Sequence, residues 1–454
     1  MTQRPPRRSI DELIDSARSW IERDPDPANR QEALEIIDRA DLEELESRFG
    51  QGLEFGTAGL RATLGAGPMR LNRVVARQTA AGIAAVVARH DSDSREVGIV
   101  VAHDARTGSN AFAADIVEVT TAAGIGVHLL DGPSPTPLAA FALRHLDAAA
   151  AVVVTARPNP PESHGLKVFW SDGAQIAPPL DGEIADAIAV ADTTAPTKLH
   201  GPVTHLGASS TESELVSAYM EAASELVPGP PEAPLPVATS AMHGVGGDLL
   251  AATLKALGHT PMHEVTSQRE PDPRFPTVEF PNPEEPGAMD AVIELARNER
   301  AALALALDPD ADRLAIAAPH PDAGWRRLTG DELGALLAWR QLELTDGNPN
   351  RLVVTTVVSS RLVAAMAADA GARFEETLTG FKWLARPAIE DPDAYQVIAY
   401  EEALGYAIGP NTRDKDGIMA ALVAADAVCA LAHQGRTIWD VLDGLASQHG
   451  AHVT

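Results

Sequence analysis

Cysteine, aromatic residues, positive charge and long apolar runs are all scarce in this chain, and each scarcity narrows what the protein can be. Cys429 is the only cysteine among 454 residues, which excludes an internal disulfide and any cysteine-based metal cluster and points to a cytoplasmic setting. Aromatics make up only 4% of the residues, so the cores must be built from Ala, Val, Leu and Ile. Lys plus Arg number 36 against 64 Asp plus Glu, a formal charge of −28. A nucleic-acid backbone needs a basic surface, so nucleic acid is excluded as a partner and anionic membrane surfaces are disfavoured. A small anionic ligand remains compatible, because a few local Arg and Lys residues or a bound cation reverse the sign inside one cleft. No uncharged apolar span approaches the roughly 18 residues of a membrane-crossing helix. The basic start Met1-Thr-Gln-Arg-Pro-Pro-Arg-Arg8 leads into Ser9-Ile-Asp-Glu-Leu13 rather than an apolar signal core. Neither secretion nor membrane insertion is expected.

At about 150 residues per domain the length suits three domains. The first 50 residues carry apolar positions at helical spacing, such as Leu42, Leu45 and Phe49, and Ser9 with Glu12 forms a capping-box pattern. A strand over 97–102, a helix over 110–123 and a strand over 127–130 make a βαβ signature, and the run 148–154 adds a strand that opens into a proline-rich loop. The linker-like Pro228–Pro236 leads to a glycine-rich turn, Ala241-Met-His-Gly-Val-Gly-Gly247, and a second α/β unit with a helix over 287–296 and a strand over 301–307. A third unit has a helix over 330–342, strands over 351–358 and 397–400, and helices around 417–433 and 437–447.

Each unit sends a polar loop off an apolar strand, the usual place for chemistry in α/β proteins. Asp308, Asp310 and Asp312 alternate beside Pro309. Carboxylates this close repel unless a cation neutralises them, and hard oxygen ligands suit Mg²⁺; a solvated acidic loop is the plainer alternative. Glu401 and Glu402 follow a strand and are suited to accepting hydrogen bonds from sugar hydroxyls, or are simply a solvated pair. Lys167, Lys382 and Lys415 sit in or beside glycine-containing loops where a phosphate or a surface ion pair would be a partner. Gly56 and Gly59, with Arg61 adjacent, allow a tight loop whose N–H groups face an anion, or a plain turn.

Four stretches in order, Glu54-Phe-Gly-Thr-Ala-Gly-Leu-Arg61, the loop at 155–160, Asp308-Pro-Asp-Ala-Asp-Arg313 and Glu401-Glu-Ala-Leu-Gly405, resemble those of the α-D-phosphohexomutase superfamily of phosphomannomutases and phosphoglucomutases. The turn at 241–247, Phe280-Pro-Asn-Pro-Glu-Glu-Pro-Gly287 and Arg413-Asp-Lys-Asp-Gly417 are similar to those of its phosphopentomutase-type branch. The resemblance implies an α/β fold of three tandem domains with mixed sheets, here 1–203, 204–322 and 323–454, without the family's fourth domain. It implies a reversible phosphoryl shift on a hexose or pentose phosphate, with a phosphoserine donor and Mg²⁺ on Asp308, Asp310 and Asp312. Arg61 and Lys167 are then catalytic, and Thr379, Gly380, Lys382, Glu401, Ala403 and Arg313 bind substrate. The implied partner is a small sugar phosphate, and the protein a monomer or dimer.

The chain departs from that pattern at its centre. Its loop reads Thr155-Ala-Arg-Pro-Asn-Pro160: Arg157 stands where the family has its serine nucleophile and Pro158 where it has a histidine. A guanidinium forms no stable phosphoryl donor, and proline has no side-chain donor or acceptor. Thr155 is two residues away and Ser163 lies beyond three prolines; a misplacement of about 1 Å costs on the order of a hundredfold in rate. No Arg-Ser-Gly-Thr phosphate loop precedes Thr454. The expectation is a family member with phosphotransferase chemistry lost or severely impaired. A phosphosugar-binding or regulatory protein without turnover, and a truncated or misread copy of an active mutase, stay open. Arg157 is further expected to pair with the aspartates and partly replace Mg²⁺.

Overall fold

The computed structural model describes residues 8–53, 59–91, 93–156, 160–191, 200–208 and 213–452. Residues 54–58 of the first motif, and Arg157 and Pro158, lie outside the described residues, and with them the expected pairing of Arg157 with the aspartates.

Three helices, Ile10–Arg23, Pro27–Arg39 and Leu42–Phe49, open the chain, and the Ser9–Glu12 capping box is present. Their apolar faces close on one another around Leu13, Trp20, Ile36 and Phe49, forming a small core of their own.

Three mixed sheets follow. The first contains β1 (Leu60–Thr63), β2 (Ile99–His103), β3 (Val127–Pro133), β4 (Ala150–Val154), β5 (Ser163–Trp170) and β6 (Val203–Gly207), in the order β1-β5-β4-β2-β3-β6. Strands β4, β2, β3 and β6 run parallel, while β5 and β1 pair antiparallel at the edge. All five residues of β4 are buried, as expected of a strand covered on both faces. The second sheet contains β7 (Val237–Ser240), β8 (Met262–Glu264), β9 (Leu303–Leu307), β10 (Leu314–His320) and β11 (Gly324–Arg327), in the order β11-β10-β9-β7-β8. The third contains β12 (Arg351–Thr356), β13 (Arg373–Thr377), β14 (Tyr395–Glu401) and β15 (Gly405–Ile408), in the order β13-β12-β14-β15. Each sheet has a parallel centre and one antiparallel strand, second from the edge in the first two sheets (β5, β10) and at the edge in the third (β15).

The β-branched run expected to be strand through 358 stops at Thr356, where the ladder to β13 ends; Val357 and Val358 are more than half exposed. The helix expected over 287–296 starts three residues later and covers Asp290–Asn298.

One apolar core runs through all three sheets, from Val100 and Val153 through Leu303–Leu307 to Val353, Ile398 and Tyr400. The helix Gly417–His433 is its strut: thirteen of its seventeen residues are buried, so its all-round apolarity reflects a central position in the protein core. Among the described residues no single helix is long and apolar enough to cross a membrane. Two glycines fix how closely these elements meet the acidic loop. A Cβ on Gly244 would lie 2.4 Å from the Pro309 carbonyl oxygen, and one on Gly417 2.5 Å from that of Arg313.

Candidate active site

Strand β9 delivers the chain into Asp308, and β10 takes it away antiparallel after Arg313, so the acidic motif is the loop of a buried hairpin. Ala311 adopts a left-handed conformation (φ 61°) within it, an uncommon backbone for a residue with a Cβ. Asp308, Asp310 and Asp312 are at most 1% exposed, and one carboxylate oxygen from each lies within 4.8 Å of the others. Asp308 Oδ2 and Asp310 Oδ1 have no hydrogen-bond partner among the described residues. Buried carboxylate oxygens left in this state are strongly disfavoured unless something positive meets them, so the donor set fits a hard cation.

Fixed cations already face the loop. Lys167, pointing in from β5, is 2% exposed and its Nζ donates to Asp310 Oδ2 at 2.5 Å and Asp312 Oδ2 at 2.6 Å. Thr136, at the start of the helix Thr136–His145, donates its hydroxyl to Asp310 Oδ2 at 2.6 Å and its backbone N–H to the Asp310 carbonyl at 3.0 Å. Lys415 Nζ lies 3.3 Å from Asp312 Oδ2 and 3.2 Å from Asp414 Oδ1, over the Phe381 ring. The Arg313 backbone N–H caps Asp308 Oδ1 at 2.9 Å, and its guanidinium lies 3.9 Å from Asp312 and 3.3 Å from Glu284.

The carboxyls respond in opposite directions. Burial, with Asp312 and Asp310 beside it, pushes Asp308 well above the usual carboxylate range. Asp310 also suffers burial and the neighbouring Asp312, but the Lys167 charge and the hydrogen bonds from Lys167 and Thr136 outweigh both and hold it below that range. Burial lowers the Arg313 guanidinium, and the charges of Asp312, Asp308, Glu401 and Glu284 more than reverse this.

The other expected residues fall into two groups. Arg61 on β1 sits opposite Gly165, two residues from Lys167, so register brings it to the same edge of the first sheet. Glu401, at the end of β14, is 5% exposed and within electrostatic reach of Arg313; Ala403 follows in the turn to β15, and Arg313 bridges to Gly405 there. Thr379 is exposed and Gly380 partly so, at the head of the short helix Phe381–Leu384. Lys382 is buried with its Nζ over the Trp383 ring at 5.5 Å. No contact between Thr379, Gly380 or Lys382 and the aspartates is observed among the described residues. Thr155 is 2% exposed, which argues against its hydroxyl as a replacement nucleophile.

Local pattern alone assigns no role to His103-Asp-Ala-Arg-Thr-Gly108 or to Ser109. In the fold these residues anchor the segment after residue 159. Arg106, 4% exposed, donates through Nη1 to the Pro160 carbonyl at 3.0 Å, lies 3.3 Å from Asp104 and stacks over Phe275 of the second unit. Ser109 donates to Asp104 Oδ1 at 2.6 Å and meets His164 Nε2 at 2.9 Å. His164 Nδ1 accepts from the Gly165 N–H, so Nε2 carries the proton and donates to Ser109. Ser109 therefore points its own proton at a carboxylate instead of receiving help from a base, which makes it a scaffold hydroxyl. Beyond Pro160 a cavity of about 850 Å³ opens, lined by Pro161, Glu162, Thr277, Phe280 and Glu285.

Three α/β units converging on a buried acidic loop, able to hold a metal and faced by inward-pointing lysines, define a multidomain α/β protein with an interdomain cleft. Models of the phosphoglucomutase/phosphomannomutase α/β/α domains I, II and III match residues 52–195, 217–322 and 329–448. Mouse phosphopentomutase is 33% identical over 464 residues, covering 96% of this chain and 74% of that protein. The probable phosphomannomutase of Haemophilus influenzae is 38% identical over 394 residues, covering 85% and 78%. A crystal structure from Thermus thermophilus, assigned as a phosphomannomutase, superposes with a TM-score of 0.72 at 25% identity, covering 87% of this chain and 84% of that one. The chain belongs to the phosphoglucomutase/phosphomannomutase family of phosphosugar mutases.

Proposed function

We propose that this protein binds a hexose or pentose phosphate in the cleft between its three units, taken as 1–203, 204–322 and 323–454, and that its phosphoryl-shift activity is lost or severely impaired. The observation that carries this reading is the pairing of an assembled acidic loop, with Lys167 and Arg313 beside it, with Arg157-Pro158 where the family resemblance puts Ser-His. Positioning and charge neutralisation do most of the work in phosphoryl transfer, and those parts are retained; the hydroxyl that would carry the phosphoryl group is not. The names of relatives acting on pentose and mannose phosphates support the ligand class.

In this reading Asp308, Asp310 and Asp312 hold Mg²⁺, which when bound neutralises charge at a phosphoryl group. Arg61 and Lys167 meet phosphate oxygens on the first unit's side of the cleft. Arg313, Glu401 and Ala403, together with Thr379, Gly380 and Lys382, meet the sugar and its phosphate on the other side. The protein works in the cytoplasm as a monomer or dimer.

The test is a coupled mutase assay on glucose 1-phosphate and ribose 1-phosphate, each with a sugar bisphosphate activator, run beside thermal shifts with the same ligands. The parent is expected to shift with sugar phosphate and to turn over at background. The double variant Arg157→Ser/Pro158→His is expected to gain a phosphoryl group from the bisphosphate, seen in the intact mass. Turnover by the parent at the rate of an active family member would overturn the reading.

A further inference from the structure

We propose that Lys167 is a built-in counter-cation that neutralises the acidic loop in the absence of metal and thereby weakens its binding of a divalent cation. The proposal rests on the reading of Asp308, Asp310 and Asp312 as a cation site, and it does not depend on turnover.

Charge and burial carry the argument. The chain has only five lysines, and two of them, Lys167 and Lys415, are buried at 2% and 1% exposure against this one loop. Three cationic side chains meet two of the three carboxylates, Lys167 and Lys415 on Asp312 Oδ2 and Arg313 near Asp312 Oδ1, with Lys167 also on Asp310. The loop is thus partly balanced by the protein's own groups, with Asp414 sharing Lys415 and Glu284 sharing Arg313, and Lys167 is the cation that spans two of its aspartates. The oxygens without a hydrogen-bond partner among the described residues, Asp308 Oδ2 and Asp310 Oδ1, are not those that Lys167 holds, Asp310 Oδ2 and Asp312 Oδ2. The conflict is therefore electrostatic, with no steric overlap required. An ion on one oxygen of Asp310 has a full positive charge on the other oxygen of the same group, where water screens neither.

The opposite expectation, that Lys167 helps a metal by orienting its ligands as outer hydrogen bonds do elsewhere, is weakened by Thr136. Its hydroxyl and backbone N–H both hold Asp310 through bonds that do not pass through Lys167, whose Nζ makes only a long contact of 3.5 Å to the Thr136 hydroxyl. Orientation is retained while the competing charge is lost, so removal of the ammonium should favour the ion.

The experiment titrates the full chain and the Lys167→Met variant with Mg²⁺ and Mn²⁺, reading heat for the former and electron paramagnetic resonance of unbound Mn²⁺ for the latter, with no sugar present. The variant is expected to bind at least about tenfold tighter than the parent, about 1.4 kcal/mol. Equal or weaker binding by the variant, with the parent still binding, would overturn the proposal and leave the cation site standing. No binding by either protein would overturn both. Should Lys167→Met fail to fold, Lys167→Gln takes its place in the same titrations, with the same expected and overturning results.

Discussion

Asp416 sits at the N-cap of the central helix Gly417–His433, and replacing it by Asn should make the protein more stable at neutral pH. Its carboxylate accepts from the backbone N–H groups of Ile418 at 3.0 Å and Met419 at 2.9 Å, and from the Tyr219 hydroxyl at 3.0 and 2.9 Å to its two oxygens. Burial acts against the charge more strongly than these donors support it, and the group is pushed from the ordinary 3.8 up to about 6. At 1.36 kcal/mol per unit this is a penalty of about 3 kcal/mol on the folded state once the carboxyl is ionised.

The sign follows from proton binding. A folded pKa above the unfolded one means that the folded state holds the proton more tightly, so this group's contribution is fully present below about pH 4 and is lost as pH rises through about 6. An Asn side chain offers the same acceptor to Ile418 and Met419, caps a helix as well as Asp and never ionises. In urea denaturation the Asp416→Asn variant and the parent should match near pH 4 and diverge to about 3 kcal/mol in the variant's favour by about pH 7.5. A variant less stable than the parent at pH 7.5, or a difference that does not change with pH, would refute the reasoning.

His164 should show the opposite slope. Burial lowers its pKa, so the folded state disfavours the proton, and stability from this group is present above about pH 6.5 and lost as pH falls through it toward the folded pKa. In urea denaturation the advantage of the parent over His164→Gln should shrink between pH 7.5 and pH 5; a constant difference would count against a neutral buried ring. Thr136→Val removes a hydroxyl from a buried carboxylate and should cost about 1.5–3 kcal/mol in the same assay at pH 7, with Thr136→Ser recovering most of it; no loss in the valine variant would show that Lys167 alone suffices for Asp310.

What could be read from the sequence was whatever is local along the chain. The buried strands announced themselves as apolar runs, and the acidic loop and Glu401 lay at strand ends where a period of two gives way to turn residues. The partners of those residues could not be read, because they are set by topology. Thr136 and Asp310 are 174 positions apart, and Lys167 and Asp310 are 143 apart; nothing in either neighbourhood specifies the other. The same holds for Arg106, whose loop was visible but whose role depends on Pro160 and on Phe275 from a different sheet. Strand β1 was also hidden. Four residues beside a glycine-rich turn carry no periodic signal, and only the ladder to β5 reveals that Arg61 lies across from Gly165.

The ties that assemble the cleft also separate its architecture from its chemistry. Asp310 is fastened to the first unit by Thr136 and Lys167, Asp312 to the third by Lys415, and β10 begins with a hydrogen bond from the Leu314 N–H to the Leu404 carbonyl. Around these contacts the apolar core is continuous across all three sheets. These ties run between residues other than 157–159. Core packing and buried ion pairs determine whether the fold forms, whereas a donor hydroxyl determines whether a phosphoryl group can be held covalently. In the proposed reading, loss of the second carries no stability penalty through the first, so a chain could keep three domains of the family while lacking the group with which the reaction would begin.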